Sequence, residues 1–408
     1  MRTFQAVAHV GCNIQRSLVI AFAVAVTLCG APSQVRAQSE PIKLGQFVDL
    51  TGGGASAAEA AQFGSDVAIQ ELNAKGGVAG RRLQIVTADT QTDATVGVGE
   101  MKRLLLQEKV NIIIGPVISQ VLLAAAPVLN EAKVLSIGGT GSEAITPAAA
   151  PYAFSMLINA DSQAKVMIAQ AADVLKVKSG AILSDSGAQA KSFVESIKRE
   201  MEARGMKLTG VQEYQYRATD MTPQLLALKR GNPETLFLFS SSGEDVGNSL
   251  KSLSELGWNV KVTGNYTVGA FAEAALKIAG KEAFENVTGT NYRAFTYCEG
   301  ADMPKDFLDF VAKAKAYKPD VAGRLSMPFA SLFYDAVYVY KAAIEGTGGK
   351  TDGPTLAAWI EENAKSFRGI NQNLSPSKQS HFLVGVDAMT TVYPHRIKEG
   401  GIAQRTKC

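Results

Sequence analysis

From residue 42 the chain switches repeatedly between two hydrophobic periods. Short runs that are apolar at nearly every position, such as 42–48, 110–115 and 236–240, predict buried strands. Between them, apolar residues return every three or four positions. Ala60, Phe63, Gly64, Val67, Ala68 and Leu72 form one such stripe, with Gln62, Asp66, Gln70 and Asn73 on the wet side. Lys75-Gly76-Gly77 stops it, as glycine after a helix should. Strands at 83–88 and 134–137 and helices at 94–107 and 119–132 continue the rhythm. Strands alternating with helices predict a parallel sheet covered on both faces.

The rhythm pauses at 147–159 and starts again. A helix follows Asp161. Strands at 181–184, 207–216, 236–240 and 260–264 then alternate with helices at 188–204, 222–230, 244–257 and 270–279. Past 285–289 helices dominate, at 305–316, 326–346 and 354–365, and the tail reads as two strands, 382–386 and 390–393. The predicted class is α/β, with two Rossmann-like lobes of similar size and a cleft between them. Ligands of open α/β sheets sit outside the carboxyl ends of the strands. The polar and glycine-rich segments 49–54, 115–120, 138–142, 184–187, 240–244 and 264–267 all fall there.

The first 37 residues stand apart. Arg16 precedes the apolar run LVIAFAVAVTL at 18–28, which has the length of a signal-peptide core and is short for a bilayer span. Val35-Arg36-Ala37 offers a cleavage site after Ala37, so the expectation is an exported, periplasmic protein. Cys29 raises a lipoprotein alternative, but Leu28 precedes it where a small residue is needed. A buried N-terminal helix is the other alternative. The full chain has 408 residues, 41 basic and 38 acidic. Losing Arg2, Arg16 and Arg36 leaves net zero, which with no basic run argues against a nucleic-acid partner. The length exceeds one compact core and fits two domains, and 46% hydrophobic residues exclude global disorder. Cys12 and Cys29 leave with the leader. Cys298 and Cys408 remain, as two free thiols or as a bridge fixing the tail; the bridge is expected in an oxidising compartment.

Much chemistry is missing. His381 and His395 are the only histidines past the leader, and surface positions are expected for both. There is no GxSxG elbow and no GxxxxGK[ST] loop. Gly138-Gly139-Thr140-Gly141 lacks the GxGxxG spacing of a dinucleotide site. No enzyme activity, cofactor or metal is expected. The cleft loops offer donors instead. Ser119 opens a helix directly after a strand, where its hydroxyl caps the helix or binds an anion beside free backbone N–H groups. Thr140, between Gly139 and Gly141, either makes a turn or joins Ser119 in gripping a carboxylate.

The order of segments resembles one family. Residues 41–49 followed by Thr51-Gly52, then ELNAKGGVAGRRLQIVTADTQTD, VNIIIGP with Ser119, and APVLNEAKVLSI are similar to the periplasmic solute-binding proteins of branched-chain amino-acid ABC transporters. AILSDSGA, Thr219-Asp220-Met221-Thr222, the strand at 234–239 and Tyr334-Asp335-Ala336-Val337 agree. The resemblance spans residues 41–386. It implies the type I binding-protein fold: two lobes joined by three crossings, near 157–160, 287–291 and 367–371, that close on a ligand. The implied lobes are 38–158 with 289–368, and 159–288 with 369–408. Carried onto this chain, the family's carboxylate grip falls on Ser119, Gly139, Thr140 and Gly141, and an acid for an ammonium on Asp161. Gln189 stands where the family has a tyrosine, Tyr266 where it has an acid, and Ala57 near a usual aromatic. The implied function is capture of an amino acid or related small carboxylate by a monomer that delivers it to ABC permease subunits. A sensory or regulatory ligand-binding protein of the same fold is the alternative.

Overall fold

The structure, a computed structural model, describes residues 40–371 and 374–408. The expected leader, with Cys12 and Cys29, lies outside the described residues. Five parallel strands build the first sheet: β1 (Ile42–Val48), β2 (Leu83–Asp89), β3 (Ile112–Ile114), β4 (Leu135–Gly138) and β5 (Ala153–Ser155), in the order β2-β1-β3-β4-β5. β3 is three buried isoleucines at the centre of the sheet, because a strand covered on both faces must be apolar on both. Helices Ala55–Ala74 and Met327–Gly346 pack against each other in this lobe. They meet at Gly64, where a Cβ would stand 1.8 Å from the Ala330 carbonyl oxygen. The buried Tyr340 hydroxyl reaches the carbonyls of Ile113 (2.7 Å) and Leu135 (2.6 Å), tying the second of these helices to the sheet.

The second sheet has eight strands: β6 (Ser179–Asp185), β7 (Lys207–Tyr214), β8 (Thr235–Phe239), β9 (Lys261–Gly264), β10 (Val287–Tyr292), β11 (Thr296–Tyr297), β12 (Met389–Lys398) and β13 (Ile402–Arg405). Their order is β11-β13-β12-β10-β9-β8-β6-β7. The run from β7 to β10 is parallel, as expected. β12 is antiparallel to both β10 and β13, so this sheet is mixed. β8, Thr-Leu-Phe-Leu-Phe, is buried at every position and lies between β9 and β6.

The chain passes between the sheets three times. The first passage, between β5 and the helix Ala160–Ala169, is where the rhythm paused. The other two come later than the sequence suggests. Residues 287–291 are part of β10, inside the second sheet, and the chain leaves only after β11. The helix Lys305–Tyr317 then returns to the first lobe, where Tyr317 meets Phe63 and Lys313 reaches Glu71 at 3.1 Å. Residues 370–371 are still bound to Asp335 of that lobe. Phe382 bridges Ser155 of β5, so the return to the second sheet falls between Leu383 and β12. Residues 382–386 are therefore no strand of their own. Their apolar character comes from docking on the edge of the first sheet.

His381 is buried rather than on the surface. Its ring stacks on Phe154 at 3.9 Å, with nitrogens 3.2 Å from the Ala153 carbonyl and 3.0 Å from Glu361. His395 lies half-buried on β12. Cys298 and Cys408 are joined by a disulfide that ties the chain just past β11 to its last residue.

Candidate functional site

Two buried aspartates shape the loops facing between the lobes. Asp49, just past β1, accepts hydrogen bonds from the backbone N–H of Val117 (3.1 Å) and Ile118 (3.2 Å) and from the Thr90 hydroxyl. That fixes the turn into the helix Ser119–Ala132. Gly115 begins this turn at φ +105°, and a Cβ there would stand 2.0 Å from the Phe47 carbonyl oxygen, so only glycine fits. Asp185, at the end of β6, does the same in the second lobe. It accepts from Gly187 N–H (2.9 Å) and Ser241 N–H (2.7 Å). Burial pushes both carboxyls up to about 6, against the pull of their N–H donors.

Ser119 is the first residue of its helix and is buried. Its hydroxyl oxygen accepts from Gly141 N–H (3.2 Å) and Ser142 N–H (3.3 Å), binding the loop after β4 and leaving its own proton to donate. Ser119 and Gly139 line a cavity of about 30 Å³ between the sheets. Opposite them, Gln189, Ser240, Ser241 and Tyr266 line it from the second lobe, with Gln163 from the helix after the first passage. The first turns of three helices, beginning at Ala55, Ser119 and Ala188, reach the space through Ala57, Gln120 and Gln189, and the Ser240-Ser241 pair ahead of a fourth helix, from Gly243, lines it too. Tyr266 packs on Tyr292 (5.0 Å) and Phe329 (6.2 Å). Burial pushes its phenol well above the usual value, and its hydroxyl has no hydrogen-bond partner.

The lobes also touch directly. Gln120 accepts from Ala188 N–H (3.4 Å), and Ser192 pairs with the Ser142 hydroxyl (3.0 Å) and Glu143 N–H (3.1 Å). The Ser56 hydroxyl donates to Glu244 (2.9 Å), and Arg217 reaches the Gly52 carbonyl. The clamp is closed. Beyond Phe271 lies a second cavity of about 110 Å³ with Glu59, Glu244, Glu273 and Arg324 on its walls.

Of the residues singled out in the sequence, Ser119, Gly139, Gln189 and Tyr266 come together at the cavity. Gly141 stands next to it, with Gln189 packed where its Cβ would be. Thr140 does not line the cavity. It is fully buried, its hydroxyl is unpartnered, and its carbonyl accepts from Ser155 (2.7 Å). Asp161 does not reach the cavity either. It pairs with Lys165 (2.8 Å) and Arg199 on the helix Ala188–Ala203. Gln163, two residues on, is the one that turns inward. It donates to the Ile158 carbonyl (3.0 Å) and accepts from Tyr266 N–H (3.0 Å). Gln120 and Asn265 belong to the segments 115–120 and 264–267 expected at the cleft, though neither was singled out, and Tyr216 and Phe329 were missed. Tyr216 and Asn265 follow the carboxyl ends of β7 and β9, so the strand-end rule reaches them. Phe329 carries no such signal.

This architecture is that of a two-lobed binding protein closed over an inter-lobe site. The chain belongs to the periplasmic binding protein family, whose profile matches residues 41–392. It is thus a solute-binding protein and not an enzyme. A Leu/Ile/Val-binding protein of Rhizobium johnstonii is 24% identical over 322 residues, 79% of this chain and 83% of the relative. The branched-chain amino acid transporter substrate binding protein of Streptococcus pneumoniae, solved with isoleucine, superposes with a TM-score of 0.75 at 18% identity, covering 89% of this chain and 97% of that one. A solute binding protein of an ABC transporter from Rhodopseudomonas palustris, solved with 3,4-dihydroxybenzoic acid, gives 0.73 at 23% identity, covering 87% and 93%. At such identities the two structures establish the fold alone.

Proposed function

We propose that the protein captures an amino acid or a related small carboxylate between its lobes, in the periplasm, and delivers it to the permease of an ABC transporter. In this reading residues 1–37 are a cleaved export signal and the working form is a monomer. The observation that carries the reading is the cleft itself. A buried hydroxyl, Ser119, opens a helix there beside the Gly139–Gly141 loop, at the carboxyl ends of the strands. Backbone N–H groups and the positive ends of helix dipoles favour an anion at such a place. The relatives' roles, Leu/Ile/Val binding and complexes with isoleucine or 3,4-dihydroxybenzoic acid, fit a site for small carboxylates.

Ser119, Gly139, Gly141, Gln189 and Tyr266 are the proposed contacts, with Gln163 and Gln120 beside them. A thermal-shift screen of amino acids, keto acids, aromatic acids and amides tests the reading, because a ligand that binds only the native state raises its melting temperature. With a hit in hand, Ser119→Ala should weaken it by about tenfold to a hundredfold, the worth of one charge-assisted hydrogen bond. Unchanged affinity in that variant would remove the carboxylate from this end of the cleft.

A further inference from the structure

We infer that the cleft is built for a small, flat carboxylate without an ammonium group, and not for an amino-acid zwitterion. This rests on the carboxylate-binding reading above and narrows it. Among the described residues that line the inter-lobe cavity there is no Asp, Glu, Lys, Arg or His. A buried ammonium needs an anionic or at least an oxygen-rich partner, since an uncompensated charge out of water is costly. Three of the four lining side-chain amide oxygens already accept a hydrogen bond, and Gln189 carries the fourth. Gln163 Oε1 accepts from Tyr266 N–H at 3.0 Å, Asn265 Oδ1 from Ser240 N–H at 3.3 Å, and Gln120 Oε1 from Ala188 N–H at 3.4 Å.

The field of the site points the same way. Three helix first turns, from Ala55, Ser119 and Ala188, reach this space and bring the positive ends of their dipoles to it. The buried acids Asp49 and Asp185 stand behind the loops with their oxygens on backbone N–H groups, and Asp245 stands in the first turn of the helix from Gly243, outside the lining. Burial keeps Asp49 and Asp185 partly protonated near pH 6, which lessens what they set against that field. An anion gains from such a setting, and an ammonium loses. The exposed-side acids Glu59 and Glu244 belong to the cavity beyond Phe271. There Glu59 is paired with Arg324 at 2.6 Å and Glu244 accepts from Ser56.

The body of the ligand is set by rings. Tyr216, Phe239, Tyr266, Phe271 and Phe329 all line the space, so the surface that would meet the body of a ligand is largely aromatic. The Tyr266 hydroxyl is the one lining side-chain group that is buried with no partner, and a buried phenol normally finds one. It is left to donate to a ligand oxygen.

Isothermal titration of the purified protein with matched pairs tests this: phenylpyruvate against phenylalanine, and 4-methyl-2-oxopentanoate against leucine, with benzoate and 4-hydroxybenzoate as flat acids. The ammonium-free member of each pair should bind at least about a hundredfold tighter, the scale of one unpaired buried charge. Tyr266→Glu, checked for an intact melting transition, should narrow that gap by favouring the amino acid. Leucine or phenylalanine binding as tightly as its keto acid overturns the inference while leaving the binding function standing. No heat and no thermal shift from any of the acids at millimolar concentration overturns the carboxylate site itself.

Discussion

Asp335 lies fully buried in the helix Met327–Gly346 and holds the segment at 370–371 against the first lobe. Its carboxylate accepts from Ile370 N–H (3.1 Å), Asn371 N–H (2.7 Å) and the Asn371 side chain (3.0 Å). Asp335→Ala would leave buried N–H groups unpartnered, at a cost of about 2–4 kcal/mol. Urea unfolding should show that loss, with Asp335→Asn losing less; a midpoint within error of wild type would mean that the segment repairs itself with water. Thr140→Val makes the opposite case. Its hydroxyl has no partner, so removing it should leave stability within about 0.5 kcal/mol and ligand affinity unchanged, in contrast to Ser119→Ala. At this scale the sequence was half legible. The Tyr334–Val337 motif stood out, but the work of Asp335 depends on partners 35 and 36 positions away. Asp161 was read as a ligand group. Lys165, four residues on along the same helix, was the visible sign that it belongs to a surface ion pair.

Among elements, the contact between helices Ala55–Ala74 and Met327–Gly346 is the one most exposed to a single methyl group. In a solvated helix Gly→Ala stabilises by roughly 0.5–1 kcal/mol. Gly64→Ala should do the reverse, because the new Cβ would fall 1.8 Å from a backbone oxygen that cannot rotate away. A lower melting temperature is expected, and a raised one would show that the helices slide apart freely. Gly64 appeared in the sequence only as part of an apolar stripe; its need for close approach lies in a partner helix more than 260 residues later. The strands divide in the same way. β3 and β8 were plain because a central parallel strand must be apolar throughout. β10, Val-Thr-Gly-Thr-Asn-Tyr, was missed as a strand. Its hydroxyls and amide are buried by an antiparallel neighbour, β12, which arrives from the tail, so its own residues carry little hydrophobic signal.

For the molecule as a whole, acids buried in both lobes set the response to pH. Burial raises Asp49 and Asp185 to about 6, and Asp245 and Asp335 to about 7. An unfolded aspartate titrates near 3.9, so between about pH 4 and 7 the folded chain holds protons that the unfolded chain has released. Stability from these groups is therefore greatest at the acid side of that window and falls as pH rises through it. Glu71 acts in the opposite sense. Its contacts with Lys75, Lys313 and Tyr334 lower it to about 2, so its contribution is present above about pH 4.5 and is lost on acidification toward 2. Four raised aspartates outweigh one lowered glutamate throughout that window, so a melting-temperature profile of the ligand-free protein should decline from about pH 4 toward pH 8, with the Glu71 contribution lost only on the acid limb below that. Asp49→Asn should flatten part of the decline between pH 5 and 7 without moving the acid limb. The motive for that choice is its place: Asp49 holds the turn into the Ser119 helix, so the same titration loosens the loop that carries the proposed carboxylate grip. A profile that climbs steadily from pH 5 to 8 would show that these carboxyls are ionised and fully satisfied by their N–H donors, and that burial does not govern them.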